Sequence, residues 1–342
     1  MELGVGMFGD LAFDAQGKPQ SAEQKLGEIL EEIKLADEVG LDMFGLGEHH
    51  REDYVISAPD IILAAAASIT KNIKLGSAVT VLSSSEPVNV YQNYSTIDLI
   101  SHGRAEICVG RGSFIESFPL FGYPLSAYDQ LFEEKLDLLL KINSSEDVSW
   151  SGKTRPPMTH QNVLPRAKNE GKLPIWIAVG GTPESVLRAA KLGLPLMIAI
   201  IGGSPKQFQS LVQYYKEQYI LHGHDKSKMQ IGIHSHSFVS DDSSIISGYY
   251  KNYAAQMDRI GSSRGWPHFT ERQYEAGRTK DGALFIGDAN QVIDKILYMH
   301  ELFGITRFSA HMDVGAPDHK QMMDAIELFG TKVAPAVRKA LQ

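Results

Sequence analysis

Four stretches of the chain carry residues able to do chemistry. The first is Glu48-His49-His50, which ends the apolar run LDMFGLGEHHR at 41–51. An apolar run that closes on titratable groups, with one helical pattern before it and another after, describes a strand with a site at its C-terminal edge. Adjacent residues at a strand end point to opposite sides, so one of the two histidines is expected to face the cavity. The second stretch, Gly76-Ser77-Ala78-Val79, puts small residues in an apolar strand, where a flat ligand could approach the backbone. The third, Gly110-Arg111-Gly112-Ser113, sets an arginine between glycines. A planar guanidinium binds two oxygens at once and the glycines admit the backbone, which makes a phosphate clamp. The fourth is Val179-Gly180-Gly181-Thr182-Pro183-Glu184-Ser185. It reads as a strand, a Gly-Gly turn, a Thr N-cap and a helix opening on Pro, whose free amides and positive end attract an anion.

Each stretch alone has a plainer reading: a histidine bonded to the scaffold, tight packing against a helix, a surface salt bridge, a capped helix. Together they suggest a phosphorylated, planar ligand. A metal is the rival, with Glu48, His49, His50, His234 and His236 as ligands and His311 and Asp313 behind them. His234 and His236 share one face of a strand. No accompanying Asp or Lys constellation stands at other strand ends, so no metal is expected.

The elements that must position these residues alternate along the chain. Strand patterns lie at 3–8, 41–50, 73–82, 105–110, 174–179, 195–201, 229–239, 284–286 and 306–311, and amphipathic helical patterns separate most of them. Such alternation predicts a parallel sheet. No G-x-G-x-x-G turn follows an early strand, which favours a (β/α)8 TIM barrel with insertions over a doubly wound sheet. The chain reads as one domain, 1–342. Inserted segments are expected near 144–172, as a hairpin and an extended stretch, and near 259–283. The polar, Gly-rich part at 261–282 is expected to be a loop that closes over the cavity, with Arg264 and Trp266 inward.

Composition limits the classes. At 342 residues, with 43% hydrophobic and 22% charged, the chain can bury a sizeable core. A net charge of −8 argues against nucleic acid as a partner. The single cysteine, Cys108, and the absence of a basic flank before an apolar segment at the start suggest a cytoplasmic protein. Cys108 itself is expected to be a buried, inert thiol. No apolar stretch approaches the ~18 residues needed to cross a bilayer, so no membrane partner is expected.

The stretches LGVGMF, EVGLDMFGLGEHH, IKLGSAVTVL, STIDLISHGRAEICVGRG, LPIWIAVGGTPES and GLPLMIAIIGG, in that order, resemble the bacterial luciferase-like flavin monooxygenases, and the resemblance covers essentially the whole chain. It implies that His49 sits by the flavin edge and takes part in chemistry. Glu48 would pack beneath the ring, and Ala78-Val79 matches a non-proline cis peptide under the flavin. Arg111 matches the phosphate-binding arginine, and Gly180, Gly181, Thr182 and Ser185 match the second phosphate contact. Phe8, Arg264 and Trp266 would border the substrate. The chain departs from the luciferase subunit at three places. Gly180-Gly181 stands for Glu-Ser, so the phosphate would be held mainly by backbone amides. Gly110 stands where a Cys precedes the matching Arg, which removes a side chain from beside the flavin, and Ile200 stands for a Trp near the ring. These departures argue against light emission.

The implied function is an FMN-dependent oxidoreductase, a monooxygenase using reduced FMN and O₂ on a small organic substrate. The reduced FMN would come from a separate NAD(P)H:flavin reductase. The resemblance favours a homodimer through the helical patterns at 58–70 and 87–100. Hydride transfer with the deazaflavin F420, and flavin binding without turnover, are the alternatives.

Overall fold

The computed structural model of the chain describes residues 1–112, 114–262 and 264–342. In chain order its strands are β1 (Glu2–Met7), β2 (Met43–Leu46), β3 (Lys74–Ser77), β4 (Thr80–Val81), β5 (Ala105–Gly110), β6 (Asp147–Trp150), β7 (Met158–Asn162), β8 (Ile175–Val179), β9 (Leu196–Ala199), β10 (Ile231–Val239), β11 (Phe285–Gly287) and β12 (Arg307–His311). Neighbouring in the order β1, β2, β3, β5, β8, β9, β10 and β12, with β12 returning to β1, they close an eight-stranded parallel barrel. The short β4 continues the line of β3 against β5, and β11 adds to β10.

Helices α1 (Ala22–Glu38), α2 (Pro59–Ile69), α3 (Pro87–Ile100), α4 (Ser117–Leu120), α5 (Tyr128–Ser144), α6 (Pro183–Leu192), α7 (Gln209–Leu221), α8 (Ser243–Ser262), α9 (Glu271–Arg278), α10 (Ala289–Phe303), α11 (His319–Leu328) and α12 (Ala334–Ala340) complete the chain. Most follow a barrel strand and cover the barrel's outside. Their local signals are conventional. Pro opens α2, α3 and α6 at the first turn. Gly193 and Gly304 end α6 and α10 in the left-handed region.

Strand alternation sorts the barrel into two environments. On β1, Leu3, Val5 and Met7 point outward into the core shared with the helices. Gly4 and Gly6 point inward, where a Cβ would lie 2.2 Å from the Met43 carbonyl oxygen and 2.8 Å from Cε1 of His234. The inside is closed at the N-terminal end by Arg307. Its guanidinium donates to Glu106 and Glu2 and lies 4.1 Å over the Trp176 ring. Charges paired this way at the closed end leave the opposite, C-terminal end for the site.

Two insertions extend the barrel. Within 144–172, β6 and β7 pair as an antiparallel hairpin. The stretch 261–282, expected as a loop, contains helix α9. A capping box links Thr270 and Gln273 at its start, and buried Tyr274 anchors it with its hydroxyl donating to the Ile246 carbonyl. Lys295 on α10 then donates to the carbonyls of Thr279 and Leu284, which fastens the turn after α9 to the body of the barrel.

Candidate active site

The C-terminal ends of the strands surround a cavity of about 400 Å³, in the range of pockets that enclose a cofactor-sized ligand. One end of it suits an anion. Arg111, just past β5, donates through Nη1 to Asp129 at 2.7 Å and through Nη2 to Ser185 Oγ at 3.2 Å. Thr182 Oγ1 donates to the same Ser185 oxygen at 2.8 Å. With both lone pairs of Ser185 engaged, its own proton is left to donate. Thr182 makes no side-chain cap on α6, so the first amides of that helix keep their donors for a ligand. A Cβ on Gly180 would meet nothing within 4 Å, and Gly181 turns the chain at φ +123°. Ser113, from the arginine-glycine stretch, lies outside the described residues.

The middle of the cavity is a strip of backbone. The Ala78–Val79 peptide is cis, and Ala78 N donates to the Leu46 carbonyl at 2.7 Å. Neighbouring strands are trimmed to admit it: a Cβ on Gly45 would lie 2.9 Å from that of Ala78, and one on Gly110 2.7 Å from Val79 Cγ2. Glycine at 110 therefore has a local steric reason, since Val79 fills the space a side chain there would take. Glu48 braces this strip. Its carboxylate accepts from Val81 N and from His50 Nε2, each at 2.9 Å. Cys108, two residues before Gly110, also lines the cavity. Burial and then Glu106 push its pKa up to about 12, which keeps it the inert thiol the sequence suggests.

The other end is aromatic and imidazole-rich. His49 stacks on Tyr54 at 4.4 Å between centroids and meets Phe8 and Phe114 edge-on at 4.5 and 5.0 Å. Burial and then the charge of His311 lower its pKa to about 3, so it is neutral at pH 7. Both His49 and His50 line the cavity, not one as expected. The alternation rule fails because β2 ends at Leu46, and the chain beyond it is no longer extended strand. His234, His236 and Ser309 complete this end. Burial first, then neighbouring His311, lowers His234 to about 3 and His236 well below its usual value.

The two residues expected from the cover behave differently. Arg264 reaches the rim, its guanidinium 4.8 Å over the Phe114 ring, with Arg51 at 4.9 Å from the same ring. Trp266 does not turn inward. It is 54% exposed and packs on Gly261 at the end of α8, where its amide bonds to the Gly261 carbonyl. Ile200 is buried in the outer core, while its neighbour Ile201 lines the cavity.

Among the described residues one group has ligand atoms close enough for a metal: Asp10, His311 and Asp313, all within 4.8 Å. Its oxygens are already engaged. Asp313 Oδ2 accepts from the amides of Phe8, Gly9 and Asp10, and Asp10 accepts from Gly315 N. A cation would have to displace these amides, so the group is a hydrogen-bonded junction that ties β1 to the end of β12.

A barrel with an anion anchor, a backbone strip and a neutral imidazole in one cavity is matched by the family description "Luciferase-like monooxygenase" over residues 7–306. The chain belongs to that family. An uncharacterised protein of Sinorhizobium fredii is 27% identical over 95% of both chains. The alkanal monooxygenase alpha chain of the Kryptophanaron alfredi symbiont is 25% identical over 65% of this chain and 62% of its own. Among solved luciferase-like barrels, the oxygenating constituent of a Pseudomonas putida 3,6-diketocamphane monooxygenase, in complex with FMN, superposes with a TM-score of 0.75. It shares 20% identity over 98% of both chains. An F420-dependent secondary alcohol dehydrogenase superposes at 0.74 with 19% identity, over 99% of this chain and 100% of its own. At these identities the superpositions establish the fold alone. Among the described residues, no helix is long and apolar enough to cross a membrane.

Proposed function

We propose that the protein is an FMN-dependent oxidoreductase, a monooxygenase that uses reduced FMN and O₂ on a small organic substrate. The observation that carries this reading is the shape of the cavity. An anion anchor of Arg111, Ser185 and the α6 amides stands at one end, a side-chain-poor strip at Ala78–Val79 in the middle, and neutral His49 at the other. Arg111 would hold the phosphate together with the amides after Gly180-Gly181 and the hydroxyls of Thr182 and Ser185. Val79 and the strip beside it would support the ring system, kept in place by Glu48.

Bound FMN supplies the redox chemistry, and the chain's own residues must exclude water and manage protons. Phe8, Phe114, Val79, Val81 and Ile201 give the cavity apolar walls, which suits an uncharged organic substrate. His49, neutral and lining the cavity, would accept or donate a proton at the reacting atoms. Arg264 would border the substrate through Phe114.

FMN is favoured over F420 by the charges around the anchor. Asp129 pairs with Arg111 and Glu133 with Arg188, and both carboxylates are more than half exposed. An acidic F420 tail leaving the phosphate site would meet them. A separate NAD(P)H:flavin reductase would deliver reduced FMN. The chain would act as a homodimer through α2 and α3, where Ile61, Ile69, Leu99 and Ile100 are 42–68% exposed.

The test supplies the protein with reduced FMN from a separate reductase under ¹⁸O₂ and offers small aldehydes, ketones and thioethers. One labelled oxygen atom in a product, lost in His49→Ala while FMN affinity is kept, supports the proposal. Turnover with F420 and no oxygen incorporation would replace it with hydride transfer. Unchanged turnover in His49→Ala would remove that residue from the chemistry.

A further inference from the structure

Four polar side chains, two in the cavity wall and two behind it, form a line that neither the anion anchor nor His49 uses. Ser309 Oγ and His234 Nδ1 are 3.3 Å apart, and His234 Nε2 and His311 Nδ1 are 3.2 Å apart. His311 Nε2 then lies 3.0 Å from Asp313 Oδ1, without an aligned N–H bond. Ser309 and His234 line the cavity, whereas His311 and Asp313 are buried behind them. Gly6 makes the arrangement possible, because a Cβ there would lie 2.8 Å from His234 Cε1 and 3.0 Å from Ser309 Oγ.

We propose that Ser309, His234, His311 and Asp313 form a proton-accepting chain that carries a proton from the cavity to His311. Donors and acceptors along it run in one direction. Asp313 is a carboxylate, held near pKa 2 by the His311 contact against the cost of burial, so the facing Nε2 of His311 carries hydrogen. His311 Nδ1 is then an acceptor for His234 Nε2–H, and His234 Nδ1 is an acceptor for the Ser309 hydroxyl. When a group in the cavity gives up a proton, that proton bonds to Ser309 Oγ. The serine's own hydrogen moves to His234 Nδ1, and the hydrogen on His234 Nε2 moves to His311 Nδ1. One X–H bond breaks in the cavity, one N–H bond forms on His311, and no electrons change hands. The reverse sequence returns the proton.

His311 is the ring where the proton comes to rest because, of the mutually packed rings His234, His236 and His311, it is the one set against a carboxylate among the described residues. The groups facing it are Asp313, Asp10, the rings of His234 and His236 from β10, and Phe8 just past β1. Lys25 and Asp53 act on it at second hand, through Asp313 and Asp10. Phe8 separates this line from His49, so the cavity has two proton-exchanging sides divided by a ring. Ser309 and His234 would touch the reacting groups, and His311 and Asp313 are positioning residues.

The line does not depend on which cofactor the cavity holds, and ring-nitrogen NMR of ¹⁵N-histidine-labelled protein tests it with no flavin added. The expected result is His234 as the neutral Nε2–H tautomer from about pH 5 to about pH 9, with its Nε2–H hydrogen-bonded to His311 Nδ1. The His234 Nε2–H signal should shift in His311→Gln. A proton on His234 Nδ1, or uptake at His234 itself, overturns the proposal. In a second arm, the rate at which O₂ reoxidises protein-bound reduced FMN is followed in Ser309→Ala and His311→Gln. A fall of about 10²-fold with unchanged FMN affinity supports the chain, and wild-type rates in both variants refute it. Ser309→Ala removes one buried hydroxyl, so it keeps the test open if His311→Gln fails to fold. Failure of FMN to bind at all would count against the flavin reading alone, and the NMR result would still decide the chain.

Discussion

Acid should weaken the fold through the cavity histidines. His49 and His234 are lowered to about 3 and His236 well below its usual value, chiefly because burial disfavours the charged ring. Their folded pKa values lie below those of the unfolded chain. Each therefore contributes stability above the unfolded pKa of about 6.5 that is lost progressively as pH falls toward about 3. Between pH 7 and pH 5 an unfolded imidazole gains a proton that the native ring refuses, which costs about 2 kcal/mol for each ring. For the three together the cost approaches about 6 kcal/mol, comparable with the whole net stability of many domains. Carboxylates that lose charge over the same range add to the acid effect in every variant alike, so a difference between variants isolates the ring. The assay is urea unfolding at the two pH values in wild type and in His234→Gln. The glutamine variant should lose about 2 kcal/mol less stability on acidification, whatever its stability at pH 7. An equal loss in both proteins would refute the reasoning and mean that His234 carries its proton in the native state.

Two further outcomes follow from the cavity walls. Gly110→Ala puts a Cβ 2.7 Å from Val79 Cγ2, so it should lower stability by about 1–3 kcal/mol, and Val79→Ala in the same chain should relieve most of that in thermal unfolding. Asp129→Asn releases Arg111 from a carboxylate that is 70% exposed, and should tighten FMN binding by calorimetry by no more than about fivefold, since exposed pairs contribute little.

Much of this architecture is legible in the chain because its local signals agree. Helix α3 starts at Pro87 and ends at Ile100, as its pattern predicts, and the four chemistry-bearing stretches meet in one cavity at the strand ends. Alternation failed at His49 and His50, where the strand had already ended. The capping box at Thr270 and Gln273 was written in the sequence, but surrounding Gly and charged residues masked it as loop, and Trp266 turned outward with the start of that segment. Other features are tertiary and have no one-dimensional signature. The filling of the Gly110 space by Val79 brings together residues 31 positions apart, and the contact of His234 with His311 spans 77. The H-x-H and H-x-D spacings on β10 and at the end of β12 marked polar strand faces, but not which rings would touch.

The central claim is that Arg111 and the start of α6 hold the phosphate of FMN. The most direct measurement is calorimetric titration with FMN and with riboflavin, which lacks the phosphate, in wild type and in Arg111→Ala. Charge-assisted bonds of about 1.5–3 kcal/mol predict FMN binding roughly 10- to 100-fold tighter than riboflavin in wild type, with most of that gap gone in the variant. Equal affinity for the two ligands in wild type, or a gap that survives the loss of Arg111, would contradict the account.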